Sequence, residues 1–157
     1  MEYNLNDTWS VWYHSINDTK WDNDSYTGIF SINNLYDYQA FTSVMNDKIL
    51  HKCMVFLMRG NIFPTWEDPN NIKGCCISYK ISNKTLVRDF NLILLKVINE
   101  GIMKNSDQFK LVNGISISPK REFNIIKIWF KECITVSDIN EFQPSFIKSK
   151  SILKKNK

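Results

Sequence analysis

Trp9-Ser10-Val11-Trp12-Tyr13-His14 decides how the rest of the chain is read. Trp9, Val11 and Tyr13 fall on one side of an extended backbone and Ser10, Trp12 and His14 on the other, the period of two that marks a strand with unlike faces. The same alternation returns at roughly Asn124 to Lys131, where Ile126, Ile128 and Phe130 oppose Ile125, Lys127 and Trp129. Between these ends, Ser25 to Ile32, Cys53 to Met58, Gly74 to Ile81 and Val112 to Ser118 also read as strands. Two stretches change period. Leu35, Tyr38, Phe41 and Met45 recur at helical spacing behind a cap at Asn33 or Asn34, with the helix expected to run to about Asn46. Leu86, Phe90, Ile93, Leu94, Val97 and Ile98 form a longer apolar stripe behind Ser82 or Asn83, with Gly101 as its expected stop. Antiparallel strands with two amphipathic helices predict an α+β domain, the helices packed on one face of a twisted sheet. Trp9 and Trp12, both in an apolar strand, are expected in its core.

The 157 residues suit a single domain, 1–157, with no internal repeat and no linker. From about residue 145 the chain turns lysine-rich and reads as either an edge strand or a mobile basic tail. Hydrophobic content of 43% and charged content of 23% are those of a globular protein, far from disorder. The net charge of +4 favours an anionic partner. Lysine supplies nearly all of it, since arginine occurs only at Arg59, Arg88 and Arg121. With the abundant Asn and Ile this reads as the codon bias of an AT-rich genome, such as that of a parasite or a large DNA virus.

Several function classes find no support. Cys53, Cys75, Cys76 and Cys133 make no C-x-x-C pair and only His14 and His51 could join them, so no metal site is expected. There is no Gly-rich phosphate loop, no nucleophile elbow and no paired carboxylates, so neither a catalytic residue nor a cofactor is expected. No apolar run reaches the ~20 residues of a bilayer span, and Met1 to Thr8 lacks the apolar run of a signal peptide. A monomer in the cytoplasm, away from membranes, is the expectation.

Trp21 and Trp66 stand apart from the other tryptophans. Each lies in a polar loop among charged neighbours, where a flat ring can offer its faces to a planar ligand. Glu67 follows Trp66, and a carboxylate there can accept two parallel hydrogen bonds from the N1–H and N2–H edge of guanine. Lys120, Arg121 and Lys127 lie near Trp129, a basic and aromatic combination that suits a phosphate chain. Alone, Glu67 reads as a solvated turn carboxylate or a helix cap, and the basic residues as the outward face of a strand.

Taken together, the residues resemble the eukaryotic translation initiation factor 4E cap-binding proteins. The matching pieces are Trp9-x-x-Trp12-Tyr13, the lone Trp21, Phe63-Pro-Thr-Trp-Glu-Asp68, Lys73-Gly74, Leu94-Leu95 through Asn99-Glu100, Asn113-Gly114 and Ile126-Lys-Ile-Trp-Phe130. The resemblance implies a curved antiparallel sheet with helices on its convex face and a cap slot on its concave face. It implies that Trp21 and Trp66 stack on 7-methylguanine, that Glu67 and the Trp66 N–H take its polar edge, and that Trp129 meets the N7-methyl group. Lys120, Arg121 and Lys127 would face the phosphates. Capped messenger RNA and the scaffold initiation factor 4G, or a dedicated equivalent, are the implied partners.

The sequence also departs from that family. Cys76 stands where a phosphate-side arginine is usual, Cys75 replaces a glycine, and Ile125 replaces a lysine. Phosphate contacts are therefore expected to shift toward Lys127 or the C-terminal stretch. On the implied scaffold surface, Leu35 and Leu95 keep apolar character, but Gln39 replaces a tryptophan, and Asn91 and Leu92 replace a leucine and a glutamate. Two other readings stay open: a decoy that sequesters caps and represses translation, and a general single-stranded RNA binder.

Overall fold

The computed structural model describes residues 3–141 and 152–156. Seven strands form one sheet: β1 (Asn4–Ser15), β2 (Thr27–Asn34), β3 (Cys53–Arg59), β4 (Cys75–Ser82), β5 (Val112–Pro119), β6 (Phe123–Phe130) and β7 (Ile152–Lys155). Their order is β2-β1-β3-β5-β6-β4-β7, and every neighbouring pair is antiparallel. The helices are α1 (Leu35–Val44), α2 (Asp47–Leu50) and α3 (Leu86–Ile98). This is the expected α+β architecture of helices on a curved antiparallel sheet.

Alternation decides the two faces. Trp9, Val11, Val55, Leu57, Ile77, Ile115, Ile117, Ile126 and Ile128 point toward the helices and are buried with Phe90, Ile93, Leu94 and Val97 of α3. The opposite residues of the same strands form a smaller cluster on the open face, Phe56, Met58, Cys76 and Trp129, with Trp12 half-buried against it. Trp12 is thus not in the main core with Trp9; the strand period carries it to the other face, where its ring meets Phe63 edge-on at 5.1 Å.

Local chemistry moves several boundaries. β2 begins at Thr27, because Asp22 caps a 3-10 turn over Asn23–Ser25. Asn34 caps α1, its side chain accepting from the Asp37 N–H. That helix stops at Val44, since Met45 is extended and Asn46 caps the four-residue α2. Ser82 caps a 3-10 turn, Asn83–Thr85, and α3 proper starts after it.

The stop of α3 falls one residue before the expected glycine. Glu100 takes the left-handed conformation (φ 63). Its N–H donates to the Val97 carbonyl and that of Gly101 to the Lys96 carbonyl, the two bonds of a Schellman cap. A glutamate holds this place because its carboxylate grips Arg59 with two hydrogen bonds of 2.7 and 2.8 Å. Arg59 also reaches Asp7, donates to the Val112 carbonyl and lies 4.4 Å over the Trp9 ring. One buried cation thereby ties β1, β3, the end of α3 and the start of β5 together.

The C-terminal stretch was open between edge strand and tail. Residues 152–155 are an edge strand paired with β4, and residues 145–151 lie outside the described residues.

Candidate cap-binding site

Trp21 sits in the loop after β1, and that loop is held by short polar contacts. Asp18 accepts from the Lys20 N–H at 2.9 Å, and Asp22 caps the following turn. His14, fully buried in β1, places Nε2 2.8 Å from the Lys20 carbonyl and Nδ1 2.9 Å from that of Ser15. Its ring stacks on Trp21 with centroids 3.9 Å apart and planes within 2°. One indole face is therefore covered, while Trp21 as a whole stays 56% exposed.

Trp66 is carried by the loop between β3 and β4. Asp68 accepts from the Phe63 and Asn70 N–H groups at 2.9 and 2.8 Å. The buried Asn71 donates to the carbonyls of Phe63 and Thr65, and Asn113 on β5 donates to the Asn70 carbonyl and the Asn71 side chain. So the Pro69-Asn-Asn71 and Asn113-Gly114 segments act as a polar frame for the tryptophan loop. Gly74 ends that loop where a Cβ would run into the Phe130 carbonyl.

Below Trp66 lies a cavity of about 600 Å³ on the open face of the sheet. Trp66, Trp129, Phe56, Lys120 and Lys127 line it. Trp129 is 8% exposed, its indole N–H donating to the Ser116 hydroxyl at 3.0 Å. Of the expected site residues, Trp66, Trp129, Lys120 and Lys127 are thus brought together around one space. Arg121 is exposed beside Lys120 in the β5–β6 turn and is not part of the lining.

Trp21 and Glu67 are also outside the lining, and each acts separately on Tyr26. The Tyr26 ring lies edge-on to Trp21 and to the cavity residue Phe56, at 6.3 and 5.5 Å. Its hydroxyl is held above the ordinary tyrosine value, first by burial and then by the charge of exposed Glu67. The aromatic half and the lysine half of the site therefore join through Tyr26 and Phe56.

Three neighbours of these residues escaped the sequence reading: His14 behind Trp21, and Lys154 and Lys155 of β7, which also line the cavity. Cys76, at its floor, has its thiol pushed up to about 12, chiefly by burial, with Lys127 opposing. It stays protonated at neutral pH and donates to the Asn156 side-chain oxygen at 3.2 Å. No group of His, Cys, Asp and Glu fit to hold a metal occurs among the described residues.

On the helical face, Gln39 and Leu35 of α1 are exposed, while Asn91 and Leu95 of α3 are half-buried. Tyr38 links the two helices by donating to the Asn91 carbonyl at 3.1 Å.

Initiation factor 4E of Eremothecium gossypii is 26% identical over 142 residues, covering 83% of this chain and 64% of that protein. Its counterpart in Candida glabrata is 24% identical over 139 residues, covering 85% and 65%. This chain thus spans just under two thirds of the curated relatives it matches. Among solved structures, Ascaris suum eIF4E-3 with m7G cap superposes with a TM-score of 0.75 at 17% identity, covering 87% of this chain and 78% of that one. Schistosome eIF4E complexed with m7GpppG and 4E-BP gives 0.77 at 13%, covering 88% and 77%. A sequence profile described as eukaryotic initiation factor 4E matches residues 4–156, and the chain belongs to that family.

Proposed function

We propose that this chain binds the 7-methylguanosine 5′ cap of messenger RNA and serves translation initiation as a binding protein without catalysis. The carrying observation is the cavity in which Trp66 and Trp129 lie beside Lys120 and Lys127, next to an exposed Trp21 already stacked on one face. A planar cation with a negative tail matches that distribution. N7-methylation makes guanine cationic, and a cation against an indole face gains about 0.5–2 kcal/mol over a neutral ring. The positive base also strengthens the hydrogen bonds its N1–H and N2–H groups donate to a carboxylate, the role assigned to Glu67. Trp21 and Trp66 sandwich the base in this reading, Trp129 meets the methyl group, and the lysines with Arg121 meet the phosphates. Ascaris suum eIF4E-3 with m7G cap supports it through shared fold.

The second partner in the proposal is a scaffold protein on the helical face, at Leu35, Gln39, Asn91 and Leu95. C. elegans eIF4E-3 with the 4E-binding protein Mextli, and the schistosome factor with 4E-BP, share the fold and support a partner of this kind. The cytoplasm is the proposed place of work. Retention on immobilised 7-methyl-GTP, with elution by free 7-methyl-GTP and not by GTP, tests the cap reading. Elution by both alike would refute it.

A further inference from the structure

Among the described residues, the cavity lining contains four lysines, Lys120, Lys127, Lys154 and Lys155, and no carboxylate side chain. Two of the four arrive on β7, more than seventy residues along the chain from the strand that β7 pairs with. The pairing fixes where they sit. Lys154 lies opposite Cys76, and Cys76 lies opposite Trp129, so the three occupy one row across β7, β4 and β6. Ile152, Ser78 and Lys127 make the next row on the same face. Rows two residues apart stand about 7 Å from each other, and adjacent strands about 5 Å. Lys154 therefore stands directly across from Cys76 and Lys127 diagonally from it, at the end of the cavity away from β1.

The strand is anchored where it must be. Asn156 donates its backbone N–H to the Gly74 carbonyl at 3.1 Å and its side-chain amide to the Asn71 carbonyl at 2.7 Å, and it accepts from the Cys76 thiol at 3.2 Å. Asn71 is the same residue that braces the Trp66 loop. The base-side loop and the lysine-bearing strand thus share one polar frame.

We propose that β7 is a built part of the ligand site: Lys154, with Lys127, binds the polyphosphate chain that follows the base, and Asn156 positions the strand that presents it. This rests on the cap-binding reading for what the chain is attached to. The anion specificity rests on the four lysines alone. With Cys76 protonated and already bonded to Asn156, the floor between the lysines offers no competing charge.

The test compares 7-methylguanosine with its mono-, di- and triphosphate, on the wild-type chain, Lys154→Ala, Lys154→Met and the charge-matched control Lys48→Ala on α2. Affinity for the nucleoside should not change. The gain from mono- to triphosphate should fall roughly fivefold or more in both Lys154 variants, and the salt dependence should lose about one unit of slope. Lys48→Ala should match the wild type. Asn156→Ala should reproduce part of the loss without removing any charge. A full triphosphate gain in both Lys154 variants would overturn the inference while leaving the base site standing. Equal wild-type affinity for GTP and 7-methyl-GTP, with the Lys154 dependence intact, would sink the cap reading and sustain the anion site.

Discussion

The imidazole of His14 lies parallel to the indole of Trp21, with ring centroids 3.9 Å apart and planes within 2°. His14 is buried in β1 and its two ring nitrogens lie within 3 Å of the Ser15 and Lys20 carbonyls, so it is the fixed member of the pair. Trp21 is thereby presented as a platform with one face open. His14→Ala should cost about 1–2 kcal/mol of cap affinity, within the range for losing an aromatic stack, by freeing the Trp21 ring. His14→Phe keeps a flat ring and should recover most of the loss. Calorimetry on both variants checks this; an alanine variant that binds as tightly as the wild type would show that Trp21 needs no backing.

The neighbouring carboxylates Glu67 and Asp68 should separate cleanly. Asp68 is engaged with the Phe63 and Asn70 N–H groups, so Asp68→Ala should lower the melting temperature by loosening the Trp66 loop. Glu67 is exposed, so Glu67→Ala should leave the melting temperature unchanged. It should still lose several kcal/mol of affinity for 7-methyl-GTP, the worth of a bidentate charge-assisted contact. Full affinity in Glu67→Ala would remove it from the base site.

Glu100 carries two burdens, a left-handed backbone and the grip on Arg59. Its side chain is 9% exposed and that of Arg59 10%, so losing the acid breaks a buried, bidentate ion pair and leaves Asp7 as the partner carboxylate of Arg59. Glu100→Ala should destabilise the fold by about 3 kcal/mol or more. Glu100→Gly should cost about 1 kcal/mol less, because glycine accepts the positive φ without strain. Urea unfolding midpoints give the order, and glycine no better than alanine would show that the backbone there is unstrained.

The helical face yields a prediction of opposite sign. Gln39 is exposed on α1 beside Leu35, where an aromatic anchor would suit an apolar peptide ligand. Losing such an anchor typically costs about 2 kcal/mol, roughly a thirtyfold drop in affinity. Gln39→Trp should therefore strengthen binding of a 4E-binding-protein peptide while leaving cap affinity unchanged, since the two surfaces lie on opposite faces of the sheet. Unaltered peptide affinity in fluorescence anisotropy would count against this surface as the docking face.

Much of this fold was legible because one face of nearly every strand is buried. A period of two in Trp9–His14 and Ile125–Phe130 leaves little choice of register, and the α3 stripe leaves little choice of helix face. What was not legible depends on structure too short or too distant for periodicity. α2 has only four residues, too few to repeat. The glycine rule pointed to Gly101, whereas the left-handed residue is Glu100, chosen by a partner forty-one positions away. His14 on Trp21 required the path of the intervening loop, and Lys154 beside Cys76 required a pairing between a mid-chain strand and one near residue 155. Trp66, Trp129, Lys120 and Lys127, singled out because their residue types matched a ligand and a family at once, do line one cavity.

On the cap-binding proposal, the aromatic slot prefers a methylated, cationic guanine. Tryptophan fluorescence quenching by 7-methyl-GTP and by GTP, at one salt concentration, tests it most directly. A gain of about 0.5–2 kcal/mol on each of two indole faces predicts that 7-methyl-GTP binds at least roughly fivefold more tightly. Trp21→Ala and Trp66→Ala should each lose about 1–3 kcal/mol of that binding. Equal quenching curves for the two nucleotides would contradict the account.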